Sequence, residues 1–398
     1  MTALDRTTTL ILGGGFGGLV TANTLRALLP REHRIVLVEK SPTFTLGATK
    51  PWLMLGERKV NQVQRSRNGL KRRGIDVIQA EIQWIDAAKH EVSTTRGVMQ
   101  CDHLVIALGA DYNMGAVEGL DRAAHTFYTV EGASRLHDTL AKFSGGDVVV
   151  LIPRSPFKCP PAPYEAALLL HDYFRKRGLG DKGRLALYTL EGAPMATAGP
   201  EIGQFVRGEL SQRQIAYHPL KRTKTVNPES KRVTFEDGSE AGYDLLIAVP
   251  PHEAPKVVRE SGLAGPTGWI PVNPQTLEVT AAGTGAHVYA IGDVTSVPLP
   301  GRFKADTPLI LPKAGTIAEG HGRAVAAHIA ARVRGNGNAP PYDGKGFCYI
   351  ETGDRHAVRG DGDFFAMPNP TMRAQTPDMM QYEEKLEWVA KWLKTNLG

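Results

Sequence analysis

The stretch TTTLILGGGFGGLVTANTLRALL constrains this chain more than any other. A short apolar run leads into a turn in which Gly13, Gly15 and Gly18 form G-x-G-x-x-G, and an apolar pattern of helical period follows. RIVLVEK then reads as a second buried strand ending at Glu39. Strand, glycine turn, helix and strand make a βαβ unit, which implies a parallel sheet with a right-handed crossover. The glycines allow a tight turn, close backbone approach to a pyrophosphate, and close helix–strand packing. Free N–H groups and the dipole at the helix N-terminus attract phosphates. Glu39, placed to accept a bond from an adenosine ribose 2′-OH, disfavours a 2′-phosphate. A glycine-rich turn without a ligand is the bland alternative, and the complete strand–turn–helix–strand context favours the nucleotide. Phe16, Gly17, Lys40 and Ile82 are further candidates for the same site.

The rest of the chain repeats the plan. DVIQAEIQWIDAAKHEVST alternates apolar and polar residues and is expected to form an antiparallel meander, and CDHLVIALGA returns as a buried strand. From Asp147 a second unit begins. VVVLI is its strand, APYEAALLLHDYFRKRG its helix, RLALYTLEG its next strand, and KRVTFEDGSEAGYDLLIAVPP a second meander and strand. HVYAIGDV should return to the first unit, since the second already has its closing strand. The fold class is therefore α/β, with two Rossmann-like dinucleotide-binding domains. The expected boundaries are residues 1–112 with 251–330 for a discontinuous nucleotide domain, 113–250 for the second domain, and 331–398 for a C-terminal interface segment. A chain of 398 residues has room for this.

FAD and NAD share the glycine fingerprint. ALGA at 107–110 and YAIGDV at 289–294 resemble the further FAD signatures of the glutathione-reductase-like, two-dinucleotide-domain flavoproteins. That resemblance implies FAD, with Ala107 and Gly109 lining it and Gly292 and Asp293 contacting its ribityl chain and pyrophosphate. In NADH-using members of the superfamily the second unit has its own glycines. Here the corresponding loop is PRSPFKCPPAP, where proline removes donors and Arg154, Phe157 and Lys158 fill the space a pyrophosphate needs. Nicotinamide binding there is not expected.

That loop carries Cys159 instead, just before a helix expected to start near Pro163. The helix N-terminus, Lys158 and Arg154 are expected to lower its thiol pKa, with Glu165 as a nearby proton acceptor. Position alone leaves a buried packing cysteine equally open. CPPAPYE at 159–165, with the later Cys348 in GKGFCYIETGD, resembles the flavoprotein subunit of flavocytochrome c sulfide dehydrogenase, and the cysteine pairing also resembles sulfide:quinone oxidoreductases. The resemblance implies a Cys159/Cys348 redox pair, oxidation of sulfide to zero-valent sulfur or polysulfide, and electron transfer through FAD to a quinone or cytochrome c. LPKAGTIAEGHGRAVA at 311–326 resembles the family helix that approaches the flavin pyrimidine, which implies that Lys313 stabilises negative charge there.

Two departures stand out. HTFYTVEG lacks the third cysteine that many sulfide:quinone oxidoreductases carry, and SPTFTLGATKPW lacks the cysteine used for covalent attachment in the flavocytochromes, so noncovalent FAD is expected. Cys101, the remaining cysteine, reads as packing. Rival readings are a type-2 NADH:quinone oxidoreductase and a low-turnover flavin electron-transfer or sulfur-binding protein.

MQYEEKLEWVAKWLKTN is helical by period, with Tyr382, Leu386, Val389 and Leu393 in one stripe and Trp388 and Trp392 beside it. It either packs on its own domain or a dimer partner, or touches a membrane surface. The N-terminus MTALDRTTTL does not read as a secretory signal, and no apolar run approaches the ~20 residues of a membrane span. A cytoplasmic or peripheral-membrane location follows as an expectation. Basic and acidic residues are interspersed and the net charge is only +6, which disfavours nucleic acid. Histidines 125, 171, 218, 252 and 321 lack metal-ligand spacing, and no metal is expected.

Overall fold

The structure, a computed structural model, describes residues 7–335 and 339–398. The first six residues, on which part of the N-terminal reading rests, lie outside that set. The strand Thr8–Leu12 sits at the centre of a five-stranded parallel sheet. Arg34–Glu39 and then Asp76–Gln79 lie on one side, His103–Ile106 and then Val288–Ala290 on the other. The YAIGDV strand thus does return to the first unit. Asp76–Gln79 departs from expectation: its alternating pattern reads as meander, yet it pairs in parallel with the second strand as the sheet edge. The meander proper is Ile82–Asp86, Glu91–Thr94 and Gly97–Gln100. An edge strand is covered on fewer sides than a central one, so its pattern alternates like that of a half-exposed hairpin strand.

A second parallel sheet runs Ala216–His218, Gly183–Thr189, Gly146–Ile152, Leu245–Ala248, and its own meander spans Thr223–Asn227, Arg232–Phe235 and Glu240–Gly242. The tail folds as an antiparallel sheet of Lys345–Gly353, His356–Asp363 and Thr371–Ala374, followed by the C-terminal helix Met379–Leu397. Asp378 caps that helix by accepting a hydrogen bond from Gln381 N at 2.7 Å.

Three apolar contacts position the site. The fingerprint helix Phe16–Leu28 packs against the helix Gly315–Val333 so closely that a Cβ on Gly322 would lie 2.7 Å from the Gly17 carbonyl oxygen. The C-terminal helix then closes over the glycine turn. Trp392 is buried with its ring 4.6 Å from Phe16 and 5.2 Å from Phe44, and its Nε1 donates to Glu319 Oε2 at 2.8 Å. The helix that carries Glu165, Ala162–Lys176, is buried over most of its length and contacts the strand Lys345–Gly353 that carries Cys348. The expected apolar stripe of the C-terminal helix is therefore largely spent on the protein's own interior. Among the described residues no helix is long and apolar enough to cross a membrane.

Candidate active site

The C-terminal ends of the central strands open into one cavity of about 840 Å³. Glu39, Lys40 and Ile82 line one end, the glycine turn and Gly292–Asp293 the middle, and Lys158, Cys159, Glu165 and Cys348 the other end. Ligand crevices of open α/β sheets lie at this position.

The glycine turn is built to receive a ligand. Gly13 has φ +100°, and a Cβ there would lie 2.4 Å from the Ala107 carbonyl oxygen. A Cβ on Gly18 would lie 1.9 Å from Gly13 O. By contrast, a Cβ on Gly15 meets no atom within 4 Å, because that residue faces the cavity. Gly18 itself is buried and serves helix–strand packing without lining the site. Glu39 accepts from Gly14 N at 2.8 Å and Ser41 N at 2.9 Å, which fixes the carboxylate at the cavity wall with acceptor capacity left over. Arg67, which has no local sequence signal, is buried beneath it. Its guanidinium donates to Gly14 O from Nε at 3.0 Å and from a terminal nitrogen at 2.8 Å, and a terminal nitrogen donates to Ser41 O at 2.7 Å.

At the other FAD signature, Gly292 N donates to His321 Nδ1 at 3.1 Å. Burial pushes that imidazole down to about 3, so it stays neutral and supports the turn. Asp293 Oδ1 is buried and has no partner among the described residues. An acceptor orphaned at a cavity wall fits a ligand hydroxyl. Ala107 and Gly109 line the same wall, and the helix Gly315–Val333 presents its N-terminus to the cavity through Ala314, Gly315 and Thr316. Cradle, orphaned acceptor and helix end together fit FAD.

Lys313 departs from expectation. Its side chain does not line the cavity. Nζ donates to the Asp293 carbonyl at 2.6 Å and the Thr295 carbonyl at 2.9 Å, and it lies 3.5 Å from the centre of the Trp269 ring. Burial lowers its pKa to about 7. Two free carbonyls and an aromatic face are closer partners than the cavity, so the lysine braces the Gly292–Asp293 turn. Its backbone does more for the thiol end, because the Lys313 carbonyl accepts from Cys159 N at 2.7 Å. Lys313→Met should therefore lower stability by about 2 kcal/mol by stranding the buried Thr295 carbonyl and the half-buried Asp293 carbonyl. It should leave the rate of the sulfide half-reaction within a few-fold of wild type, as thermal melts and stopped-flow absorbance will read.

Cys159 adopts φ +56°, a left-handed conformation that costs a non-glycine residue roughly 1–2 kcal/mol and is held by the bonds to Lys313 O and from Ala162 N to Cys159 O at 2.8 Å. Cys159 and Cys348 both line the cavity as free thiols, and also a small, almost wholly apolar recess behind it. Cys101 lies elsewhere, packed against the apolar core around the five-stranded sheet. The expected thiolate at Cys159 is not found. Burial, then the Glu165 carboxyl, push its thiol up to about 12, and burial, then Cys159, push Cys348 up to about 12. The two cations invoked for it are engaged elsewhere. Arg154 donates to the Pro153 and Thr223 carbonyls, each at 2.9 Å, and Lys158 Nζ lies 4.6 Å from the centre of the Tyr112 ring.

Glu165 is only 3% exposed. Its Oε1 accepts from Glu351 N and from Lys385 Nζ, each at 2.9 Å, and burial, with Glu351 adding repulsion, raises its pKa. Lys50 also lines this end and escaped the sequence reading. Burial, then Lys158, lower its ammonium to about 7. Across the cavity Phe347, Tyr349 and Trp388 form an aromatic wall with ring centres 5.6–5.9 Å apart. Among the described residues no group of acidic, histidine or cysteine side chains could hold a metal ion.

The fold and the glycine cradle define a flavoprotein with two dinucleotide-binding-type units. Residues 7–152 match the family described as pyridine nucleotide-disulphide oxidoreductase, and residues 134–250 match the central region of the sulfide dehydrogenase [flavocytochrome c] flavoprotein chain. A mitochondrial sulfide:quinone oxidoreductase of Mus musculus is 23% identical over 389 residues, 93% of this chain and 81% of its own. A sulfide-quinone reductase of Aquifex aeolicus is 27% identical over 379 residues, 90% of this chain and 83% of its own. The solved structure of the sulfide:quinone oxidoreductase from Aquifex aeolicus superposes with a TM-score of 0.87 at 24% identity, covering 98% of this chain and 91% of that one. The chain is thus similar over nearly its whole length to sulfide:quinone oxidoreductases, and over residues 134–250 to the flavocytochrome c sulfide dehydrogenase flavoprotein chain.

Proposed function

We propose that this protein is an FAD-dependent sulfide:quinone oxidoreductase that works through a Cys159/Cys348 redox pair. The observation that carries the reading is the single cavity joining a dinucleotide cradle to two cysteines from distant parts of the chain. Noncovalently bound FAD supplies a two-electron sink that an acceptor can empty again.

The protein's own residues account for the sulfur chemistry. With the pair oxidised, hydrosulfide attacks one sulfur, leaving a persulfide on that cysteine and displacing the other. A displaced sulfur whose thiol pKa is near 12 is a poor leaving group as the bare anion. It needs a proton as the bond breaks. Glu165, held above the usual carboxylate range in the same cavity, is the group that can supply it. The apolar recess behind both cysteines, lined by residues such as Pro161, Met195 and Met372, suits uncharged sulfur better than water.

For the electron acceptor, the wall of Phe347, Tyr349 and Trp388 favours a planar apolar quinone over a protein surface. Cytochrome c is the second acceptor class and would need an exposed docking face. Peripheral contact with a membrane is supported by Met379 and Met380, exposed at the start of the C-terminal helix. NADH is disfavoured as donor because Phe157 is buried inside the proline loop, where the other class of enzyme opens a glycine turn. The reading is tested by steady-state turnover with sulfide and a short-chain quinone. Quinone reduction dependent on sulfide supports it. Turnover with NADH and none with sulfide overturns it, and turnover with cytochrome c alone replaces the acceptor.

A further inference from the structure

Behind the cysteine loop, three chain segments bring charged side chains together out of water. Glu165 comes from the helix Ala162–Lys176, Glu351 from the strand Lys345–Gly353, and Lys385 from the C-terminal helix. They are 3%, 3% and 1% exposed. Lys385 Nζ reaches Oε1 of Glu165 at 2.9 Å and Oε1 of Glu351 at 2.5 Å, and Trp52 Nε1 donates to the same Glu351 oxygen at 2.7 Å. Two carboxylates and one ammonium leave a buried net charge of −1 if both acids ionise. Burying an uncompensated charge is costly, and one bound proton removes it. Each carboxylate takes two donors on its Oε1, Glu351 from Lys385 and Trp52 and Glu165 from Lys385 and the Glu351 amide, so access to the cavity, which Glu165 alone of the two lines, decides which acid exchanges the proton. Glu165 lines the cavity, and its Oε2 has no hydrogen-bond partner among the described residues.

We propose that Lys385 is a positioning residue that holds Glu165 and Glu351 as a buried pair sharing one proton, and that this is the proton Glu165 gives to the departing cysteine and later recovers. The inference rests on the sulfide reading given above. In the step it describes, hydrosulfide forms a new S–S bond to one cysteine while the Cys159–Cys348 bond breaks. The departing sulfur takes that bond's electron pair together with the Glu165 proton, and Glu165 is left as a carboxylate facing the Lys385 ammonium. The persulfide then loses its own proton to Glu165. Hydrosulfide plus disulfide has become persulfide anion plus thiol, with no other reactant consumed.

The other groups facing Glu165 are Cys159 from the loop, Cys348 from the tail strand and Tyr128, while Glu57 and Tyr382 face Glu351. Tyr128 and both thiols are held neutral by burial through the working pH range, so the pair and Lys385 dominate the titration.

The test uses the FAD-loaded enzyme with Glu351→Gln, Lys385→Met and Lys385→Arg. Two readouts are followed: the infrared carbonyl band of a protonated carboxyl, and the alkaline limb of the sulfide half-reaction. Besides Glu191, which burial raises to about 7 and whose signal is common to all variants, the wild type should keep one protonated carboxyl at neutral pH, belonging to the pair. Glu351→Gln removes repulsion but keeps Lys385, so the pair's band should vanish at neutral pH, leaving that of Glu191, and the limb should move down by about one pH unit or more. Lys385→Met removes the cation and leaves two facing carboxyls, so band and limb should move up. Lys385→Arg should restore the wild-type midpoint. A merely structural role would move both variants the same way or neither, and either result overturns the proposal. So does a wild type with no protonated carboxyl at neutral pH beyond that of Glu191. If sulfide fails to reduce wild-type flavin, the functional reading falls and takes the proton's destination with it. If wild type is reduced but the midpoints do not separate, only the present inference falls. Should Lys385→Met lose its FAD, the band and limb of Glu351→Gln decide alone.

Discussion

Cys159→Ser and Cys348→Ser should each slow sulfide-driven bleaching of the bound flavin about a thousandfold or more, with FAD content unchanged. In the proposed mechanism each replacement removes one sulfur of the Cys159–Cys348 bond that hydrosulfide opens, so each alone should abolish as much as both together. Neither side chain belongs to the glycine cradle or the Gly292–Asp293 turn. The backbone bonds that hold Cys159, from its N to Lys313 O and from Ala162 N to its own carbonyl, survive the change. Cys101→Ser is the control. Cys101 packs against the apolar core around the five-stranded sheet, and its replacement should cost stability alone. Stopped-flow flavin absorbance with anaerobic sulfide reads the outcome, and wild-type rates in either of the first two variants would refute the redox pair.

The second large effect is at the glycine turn. Gly18→Val should yield protein without flavin, because a Cβ at that position would lie 1.9 Å from the Gly13 carbonyl oxygen, and backbone cannot step aside as a flexible side chain can. Over-packing of this kind costs about 1–3 kcal/mol in folding and pushes the turn out of the shape the pyrophosphate needs. A fall in FAD affinity of at least about 100-fold, roughly 2.7 kcal/mol, is expected. Gly15→Ala separates cradle from fold. Its Cβ touches no protein atom within 4 Å, so the flavin-free protein should melt as wild type does while FAD binding weakens. Flavin absorbance after desalting and thermal melts with and without added FAD measure both.

The parts of this molecule governed by local pattern were readable from its residues. The strand–glycine–helix context, the repeated βαβ plan and the return of YAIGDV to the first sheet all follow from short-range periodicity and turn chemistry. So did the arrival of Cys159 and Cys348 at one cavity, although there the family resemblance was needed to pair them. Asp76–Gln79 was misread because an edge strand of a parallel sheet alternates like a meander.

What stayed hidden was set by the third dimension. Nothing near Arg67 or His321 in sequence says that each will brace a cofactor turn. Lys313 lies just before the helix Gly315–Val333, as expected, yet its ammonium goes to the Asp293 and Thr295 carbonyls and not to the cavity. The thiol pKa went the wrong way because sequence shows the charges near Cys159 along the chain, Lys158 and Arg154. It does not show burial, or that Glu165 faces the sulfur while Arg154 is held by two carbonyls and Lys158 sits over the Tyr112 ring. Lys385 lies in a helix whose sequence marks no burial of charge, and it is among the most deeply buried charges in the protein.

The most direct test of the account is an anaerobic titration of the purified, FAD-loaded protein with sulfide, followed by addition of a short-chain quinone. The account predicts stoichiometric bleaching of the flavin by sulfide, no bleaching by NADH, and full return of colour with quinone over repeated cycles. A flavin that NADH reduces and sulfide does not would contradict it.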